Sequence, residues 1–303
     1  MIYPFLSVIS IYIFIAIGFT AKKIYKEQID QRTLILLSIY FFQPMLTFWG
    51  LTRSPINYDL IMAPIAYFVI VLATMTVLIF LSNQIFTDQK EKSIAIAASL
   101  IGNTGNLGIP LGIAVFGESS IAFTSIINIA NVFFIYTIGI YFYARSNYTA
   151  KESIIQMAKI PIIWTAILAI AFNYFEFKIP AQLDKILEMG SYTTIVTQLV
   201  IFGIYLHELN FKEIDKKLSF TVSSFKLILL PLIGFFVLGF FDFSTQTKAI
   251  LLLQLMLPLA VNNVNISALY NCKPIATAGA IVVSSILFLF LLYFDLAIVQ
   301  KFF

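Results

Sequence analysis

Long apolar runs, separated by short charged strips, dominate this 303-residue chain. Sixty per cent of the residues are hydrophobic and only 11% are charged, whereas roughly a quarter of the residues of a soluble domain are charged. A run of about 20 apolar residues is long enough to cross a bilayer as a helix. The pattern predicts an all-α polytopic membrane protein that forms one membrane domain over 1–303.

Ten runs are long enough to cross the hydrocarbon layer as helices. The longest connection between them, 145–159, is too short to be a separate domain. The predicted spans are 4–21, 33–51, 60–82, 93–117, 119–144, 160–177, 190–207, 219–241, 246–270 and 274–299.

The distribution of Lys and Arg predicts the orientation of these spans. The connections after spans 1, 3, 5, 7 and 9 hold 13 of these residues, and the opposite side holds 5. Because cytoplasmic loops retain positive charge, both termini are expected outside the cytoplasm. The remaining basic residue, Lys226, falls near the predicted cytoplasmic end of span 8, where its side chain is expected to reach the interface. The basic residues form no patch with interleaved aromatics, so nucleic acid is not an expected partner.

The spacing of the spans suggests an internal repeat. The centres of spans 6–10 follow those of spans 1–5 by about 153–159 residues. Because each half has an odd number of crossings, the second half enters the membrane from the opposite side, as in many transporters. The sequence thus predicts two inverted five-helix repeats, 1–145 and 159–303; a chance coincidence of spacing is the alternative.

Spans 4 and 9 are both interrupted by helix-breaking and polar residues. Span 4 carries Gly102, Asn103, Thr104, Gly105, Asn106, Gly108 and Pro110, and span 9 carries Pro258, Asn262, Asn263 and Asn265. Glycine costs about 1 kcal/mol and proline about 3 kcal/mol in a helix interior relative to alanine, so span 4 is expected to unwind at mid-membrane. Interrupted helices at matching positions of two halves are typical of a transporter binding site. Proline kinks, with asparagines joining neighbouring helices, are the alternative.

The chemistry expected at such a site is anion binding. Each interruption creates a half-helix N-terminus with partial positive charge, which favours a carboxylate. Pro110 stands where a first-turn proline would begin the second half-helix of span 4, and Asn103, Asn106 and Asn262 can add neutral donors. The secondary candidates are Gln43, Asn128, Asn131 and Gln198, for which an interhelical hydrogen bond is the alternative role.

The positions of the titratable residues argue against proton antiport and against catalysis. No Asp, Glu or Lys is expected at mid-membrane, where a proton antiporter would carry its titrating group. The only histidine and the only cysteine, His207 and Cys272, lie at a span end and in a loop. The sequence therefore predicts no catalytic residues, no metal site and no cofactor, so an enzyme is not expected.

Two motifs resemble the auxin efflux carrier family, which includes the plant PIN auxin exporters and bacterial permeases for malate or malonate. They are GNTGNLGIPLGIAVFG at 102–117 and LPLAVNNVN at 257–265, and the following ALYNCKP also fits the end of the family's ninth helix. The resemblance implies that helices 4 and 9 cross at their breaks, that helices 1, 2, 6 and 7 form a scaffold, and that transport occurs by an elevator-type movement. It also implies that Asn103 faces the substrate.

The chain departs from the plant members at two points: Asn263 stands where they have a further proline, and their long cytoplasmic loop is missing. The resemblance therefore implies a bacterial carrier in the plasma (inner) membrane. The expected function is secondary transport of small mono- or dicarboxylates, either auxin-like or malate-like. The expected partners are the organic anion and the lipid bilayer, and a homodimer is possible. The alternatives are a sodium- or proton-coupled carrier of the related bile-acid and sodium/proton exchanger architecture, or a membrane sensor that does not transport.

Overall fold

The computed structural model describes residues 2–144, 151, 155, 158–159, 161–207 and 214–302, apart from the side chains of 2–12, 205, 300 and 302. Most of the 145–159 connection and the boundary between the two predicted repeats lie outside these residues. Within the described part, twelve helices of at least eight residues have both ends defined. They are α1 Ile2–Tyr25, α2 Gln31–Arg53, α3 Tyr58–Ile85, α4 Gln89–Leu100, α5 Thr104–Phe116, α6 Ser120–Ala144, α7 Pro161–Tyr174, α8 Ala181–His207, α9 Lys216–Leu238, α10 Thr245–Met256, α11 Asn262–Leu269 and α12 Pro274–Phe302.

Six helices, within the described residues, are long and apolar enough to cross a membrane. They are α2, α3, α6, α8, α9 and α12, and two shorter apolar helices, α5 and α7, accompany them. The prediction of an all-helical, multi-pass membrane protein is therefore confirmed. The prediction of ten spans arranged as an inverted repeat stays a prediction.

Both predicted interruptions are present. The chain leaves the helix after Leu100 and resumes at Thr104, and it leaves again after Met256 and resumes at Asn262. The first interruption is narrower than the glycine-rich run suggested, because only 101–103 lie outside helix. Gly105, Asn106 and Gly108 lie instead in a wide π-helical turn.

Four such wide turns occur within the described helices, at Ser38–Phe42, Thr104–Gly108, Ile135–Gly139 and Phe225–Leu229. In three of them a proline is the second residue after the turn: Pro44, Pro110 and Pro231. Proline has no N–H to give to the carbonyl four residues earlier. The helix adapts by widening in the turn just before it, as when the Leu230 N–H bonds to the Phe225 carbonyl, five residues back.

The described residues divide into two compact units, and each unit takes segments from both halves of the sequence. Unit 1 comprises 1–61, 105–129 and 157–208. Its core consists mainly of side chains from α2, α5, α6 and α7, among them Leu46, Trp49, Ile109, Ile121 and Ala169. Helices α1 and α8 also pack together in this unit, at glycines: a Cβ atom on Gly203 would lie 1.9 Å from the Ile15 carbonyl oxygen. Glycine thus allows the two backbones to approach closely, as is common between membrane helices.

Unit 2 comprises 62–104, 130–156 and 209–303. In this unit, Lys273 Nζ lies 2.6 Å from Glu91 Oε1 and 3.1 Å from Asp88 Oδ2. Asp88 also caps α4 by accepting from the backbone N–H groups of Lys90 and Glu91. The Glu91 N–H and then Lys273 lower the pKa of Asp88, and Glu91 is the main cause that raises the pKa of Lys273. The ion pairs of Lys273 with Asp88 and Glu91 join the segment before α12 to the start of α4.

The contact between α1 and α8 gives a first prediction. Gly203→Ala should lower the free energy of unfolding by about 1–3 kcal/mol, the usual cost of overpacking, because the new methyl would meet backbone atoms of α1. Thermal unfolding in detergent measures this effect. Gly239→Ala is the control, since the nearest atom to a Cβ there is the Phe236 oxygen at 3.2 Å. Equal melting temperatures for the two variants would contradict the close contact.

Candidate functional site

The two helix interruptions pair with each other inside unit 2. The Asn103 N–H donates to the Pro258 carbonyl at 2.9 Å, and the Ala260 N–H donates to the Ile101 carbonyl at 3.0 Å. Gly102 and Leu259 thus face each other as a one-residue antiparallel bridge. Backbone polar groups at membrane depth need partners within the protein, and the two interruptions supply them to each other. We call this pairing of 101–103 with 258–260 the crossing.

Two of the predicted site asparagines hold the crossing together. Asn263 donates from Nδ2 to the Ala260 carbonyl at 2.9 Å and to the Ile101 carbonyl at 3.3 Å, and its Oδ1 accepts from the Tyr143 hydroxyl. Asn131 donates from Nδ2 to the Gly102 carbonyl at 2.9 Å. Because both Nδ2 groups bind backbone carbonyls of the crossing, these residues position it.

The Asn131 amide is itself held from two sides. Its Nδ2 also reaches the Thr104 hydroxyl at 2.9 Å, and its Oδ1 accepts from Tyr67 at 3.3 Å. Thr104 and Tyr67 are fully buried. The hydrogen bonds therefore connect α3, α6 and the start of α5 through one asparagine.

Asn103 is different, because its side chain has a donor to spare. The residue is only 3% exposed, and its Nδ2 meets no acceptor within the described residues. A buried donor without a partner costs about 1–3 kcal/mol. Asn103 Nδ2 is therefore a buried hydrogen-bond donor at the crossing that a bound molecule can satisfy.

The expectation for Lys226 is wrong. Helix α9 begins at Lys216, so Lys226 lies ten residues into the Lys216–Leu238 span, or about 15 Å along the axis at 1.5 Å per residue. Its side chain is fully buried, and Nζ donates to the Leu255 carbonyl at 3.0 Å. The prediction that no lysine lies at mid-membrane is wrong for the same reason. The signal in the sequence was a single charged residue inside an otherwise apolar run.

Another group of predicted residues lies in unit 1. A Cβ atom on Gly105 would lie 3.1 Å from Asn128 Oδ1 and 3.2 Å from Gln43 Nε2. Asn128 and Gln43 are buried, so two amides approach the backbone at a position where glycine leaves room. Pro110 is buried in the first turn of the regular helix Ile109–Phe116, as expected.

The remaining predicted donors, Asn106 and Asn262, are half-buried. Neither side chain makes a hydrogen bond to another described residue. Gln198, in unit 1, is fully buried, and both of its amide atoms lack partners among the described residues. The alternative role of Gln198, an interhelical hydrogen bond, is therefore not found among the described residues.

Several long apolar helices and a buried polar crossing of two interrupted helices define a multi-pass membrane protein with an internal polar site. The sequence model of the family described as membrane transport protein matches residues 3–294. The chain belongs to this family, which confirms the resemblance to auxin efflux carriers. The chain is also 26% identical, over 298 residues, to the uncharacterized transporter MJ1031 of Methanocaldococcus jannaschii, with 93% of this chain and 94% of that protein covered.

The role of Asn263 gives the second prediction. Asn263→Ala removes the donor of two hydrogen bonds to buried carbonyls and the acceptor of the Tyr143 hydroxyl. We expect the free energy of unfolding to fall by about 1–3 kcal/mol, the cost of leaving buried polar groups unpaired. Thermal unfolding in detergent is the measurement. Asn265→Ala makes the same chemical change at an exposed position of the same helix and should have little effect. A similar loss in both variants would show that Asn263 does not hold the crossing.

Proposed function

We propose that the protein is a secondary transporter of small organic anions, such as mono- or dicarboxylates, and that the substrate binds at the crossing in unit 2. Membership of a membrane transport family supports the transport role. The observation that carries the site is Asn103 Nδ2, a buried donor without a partner among the described residues. A carboxylate oxygen would satisfy it.

The charge distribution at the crossing favours an anion. Helix α11 begins at Asn262, and the N-terminus of a helix carries about half a positive charge. The half-buried Asn262 side chain lies at this end of α11 and can donate a further hydrogen bond. The Lys226 amine lies next to Gly102 and within hydrogen-bonding distance of the end of α10. The N-terminal dipole of α11 and the amides of Asn103 and Asn262 are thus the groups at the crossing that attract a carboxylate.

We further propose that the chain has ten spans in two inverted repeats and works by elevator-type alternating access, with both termini outside the cytoplasm in a plasma membrane. The crossing is held by several backbone and side-chain hydrogen bonds within one compact unit. A unit of this kind can carry a bound substrate as a rigid body during domain movement.

The substrate class can be identified by binding. A ligand that binds only the folded state raises the melting temperature, so purified protein is screened against organic acids with matched neutral amides and alcohols. We expect carboxylates to stabilise the protein and the neutral compounds not to. The strongest stabiliser is then used for transport in proteoliposomes.

The third prediction tests the crossing as the binding site. Asn103→Ala should weaken binding of the stabilising acid by about 10- to 100-fold, because a hydrogen bond to a charged group contributes roughly 1.5–3 kcal/mol. Asn103→Asp keeps the shape but places a negative charge against an anion, and should lower uptake further. Asn265→Ala is the control. Unchanged uptake in both Asn103→Ala and Asn262→Ala, at equal expression, would exclude the crossing as the site.

A further inference from the structure

Lys226 is a fully buried amine that the proposed binding site does not require for its shape. It lies in the wide turn Phe225–Leu229 of α9, close to the middle of the span. No carboxylate forms an ion pair with it within the described residues, and its one hydrogen bond goes to the Leu255 carbonyl. A lysine in this position is costly in a membrane and is a candidate for function.

The acceptor of that hydrogen bond lies at a helix end. Leu255 is in the last turn of α10, which ends at Met256, so its carbonyl is one of the four that have no partner within the helix. Helix α4 also ends at the crossing, at Leu100. Each helix C-terminus carries about half a negative charge. Two such ends together are matched by roughly one positive charge, which is what a lysine ammonium supplies.

The backbone of the crossing leaves room for the amine. A Cβ atom on Gly102 would lie 2.8 Å from Lys226 Nζ and 3.2 Å from Cε. Glycine is thus the residue that allows Nζ to approach the interrupted segment between α4 and α5. The amine therefore lies against both interruptions, next to Gly102 of one and at the end of the helix that precedes the other.

Helix C-termini and unwound carbonyls at such interruptions are the groups that coordinate Na⁺ in many cation-coupled carriers. We propose that the Lys226 ammonium is a tethered cation that takes the place of a dissociable coupling ion at the crossing, so that transport requires no Na⁺ or K⁺. The statement that transport needs no Na⁺ or K⁺ rests on the proposed transport function. The placement of the ammonium at the crossing rests on the geometry of unit 2 alone. A tethered ammonium at the crossing would distinguish this protein from a sodium-coupled carrier.

The fourth prediction is that a small cation can replace the Lys226 ammonium. It is tested first by measuring thermal stability in the absence of any organic acid. Lys226→Ala, Lys226→Met and wild type are unfolded thermally in choline chloride, and then with Na⁺, K⁺ or methylammonium at the same ionic strength. We expect wild type to be insensitive to the cation. Lys226→Ala should melt at a lower temperature and recover in part with methylammonium or Na⁺, because the small cation can enter the space that the amine leaves. Lys216→Ala, which removes an exposed lysine from the same helix, should behave as wild type.

Transport then tests the consequence. Uptake of the stabilising acid by wild type should be the same with and without a Na⁺ gradient. In Lys226→Ala it should fall by about tenfold or more and be restored in part by methylammonium. Gly102→Ala is an independent variant in which the lysine is retained but its amine is displaced, and uptake should again fall. It keeps the inference testable if Lys226→Ala does not fold.

Three results would overturn the inference: a wild type that needs Na⁺, a Lys226→Ala protein that no cation restores, or a Lys226→Met protein as stable and active as wild type. The last would show that an apolar side chain of similar length replaces the amine. A wild type that moves no organic anion contradicts the proposed function instead, and the response of Lys226→Ala stability to cations still decides whether the ammonium is a tethered cation.

Discussion

The constraint on which the rest of unit 2 depends is that backbone polar groups at membrane depth must find partners inside the protein. An unpaired amide in an apolar medium costs several kcal/mol. Two interrupted helices would each leave such groups exposed. Here the two segments pair with each other, through Asn103 with Pro258 and Ala260 with Ile101, so each interruption is tolerated because the other one exists.

The side chains around the crossing bind backbone carbonyls that need further partners after the two segments have paired. Asn131 satisfies the Gly102 carbonyl, Asn263 reaches the carbonyls of Ala260 and Ile101, and Lys226 satisfies the end of α10. The Nδ2 donors of Asn131 and Asn263 are thus occupied by the protein itself, and Lys226 donates to one backbone carbonyl. Asn103 remains as the buried amide at the crossing whose donor is open. A donor held in place by a rigid backbone binds with little loss of entropy, which favours affinity.

The sequence located the interruptions correctly, because glycine, asparagine and proline all disfavour the interior of an α-helix. It could not separate the asparagines by role. Asn103, Asn131 and Asn263 look alike in sequence, and whether an amide binds a ligand or a carbonyl depends on which segments pair in three dimensions. The proposed alternative, asparagines that join neighbouring helices, describes Asn131 and Asn263 well. It does not describe Asn103.

The prediction from the sequence that the Lys226 side chain reaches the membrane interface was wrong for a different reason. The apolar run was taken to begin at residue 219, whereas α9 begins at Lys216, and this difference moves the lysine deeper into the membrane. The helix also forms a wide turn at Phe225–Leu229, just before Pro231, which the apolar pattern of the sequence does not reveal. Lys226 lies inside this turn, five residues before Pro231, and its side chain is fully buried.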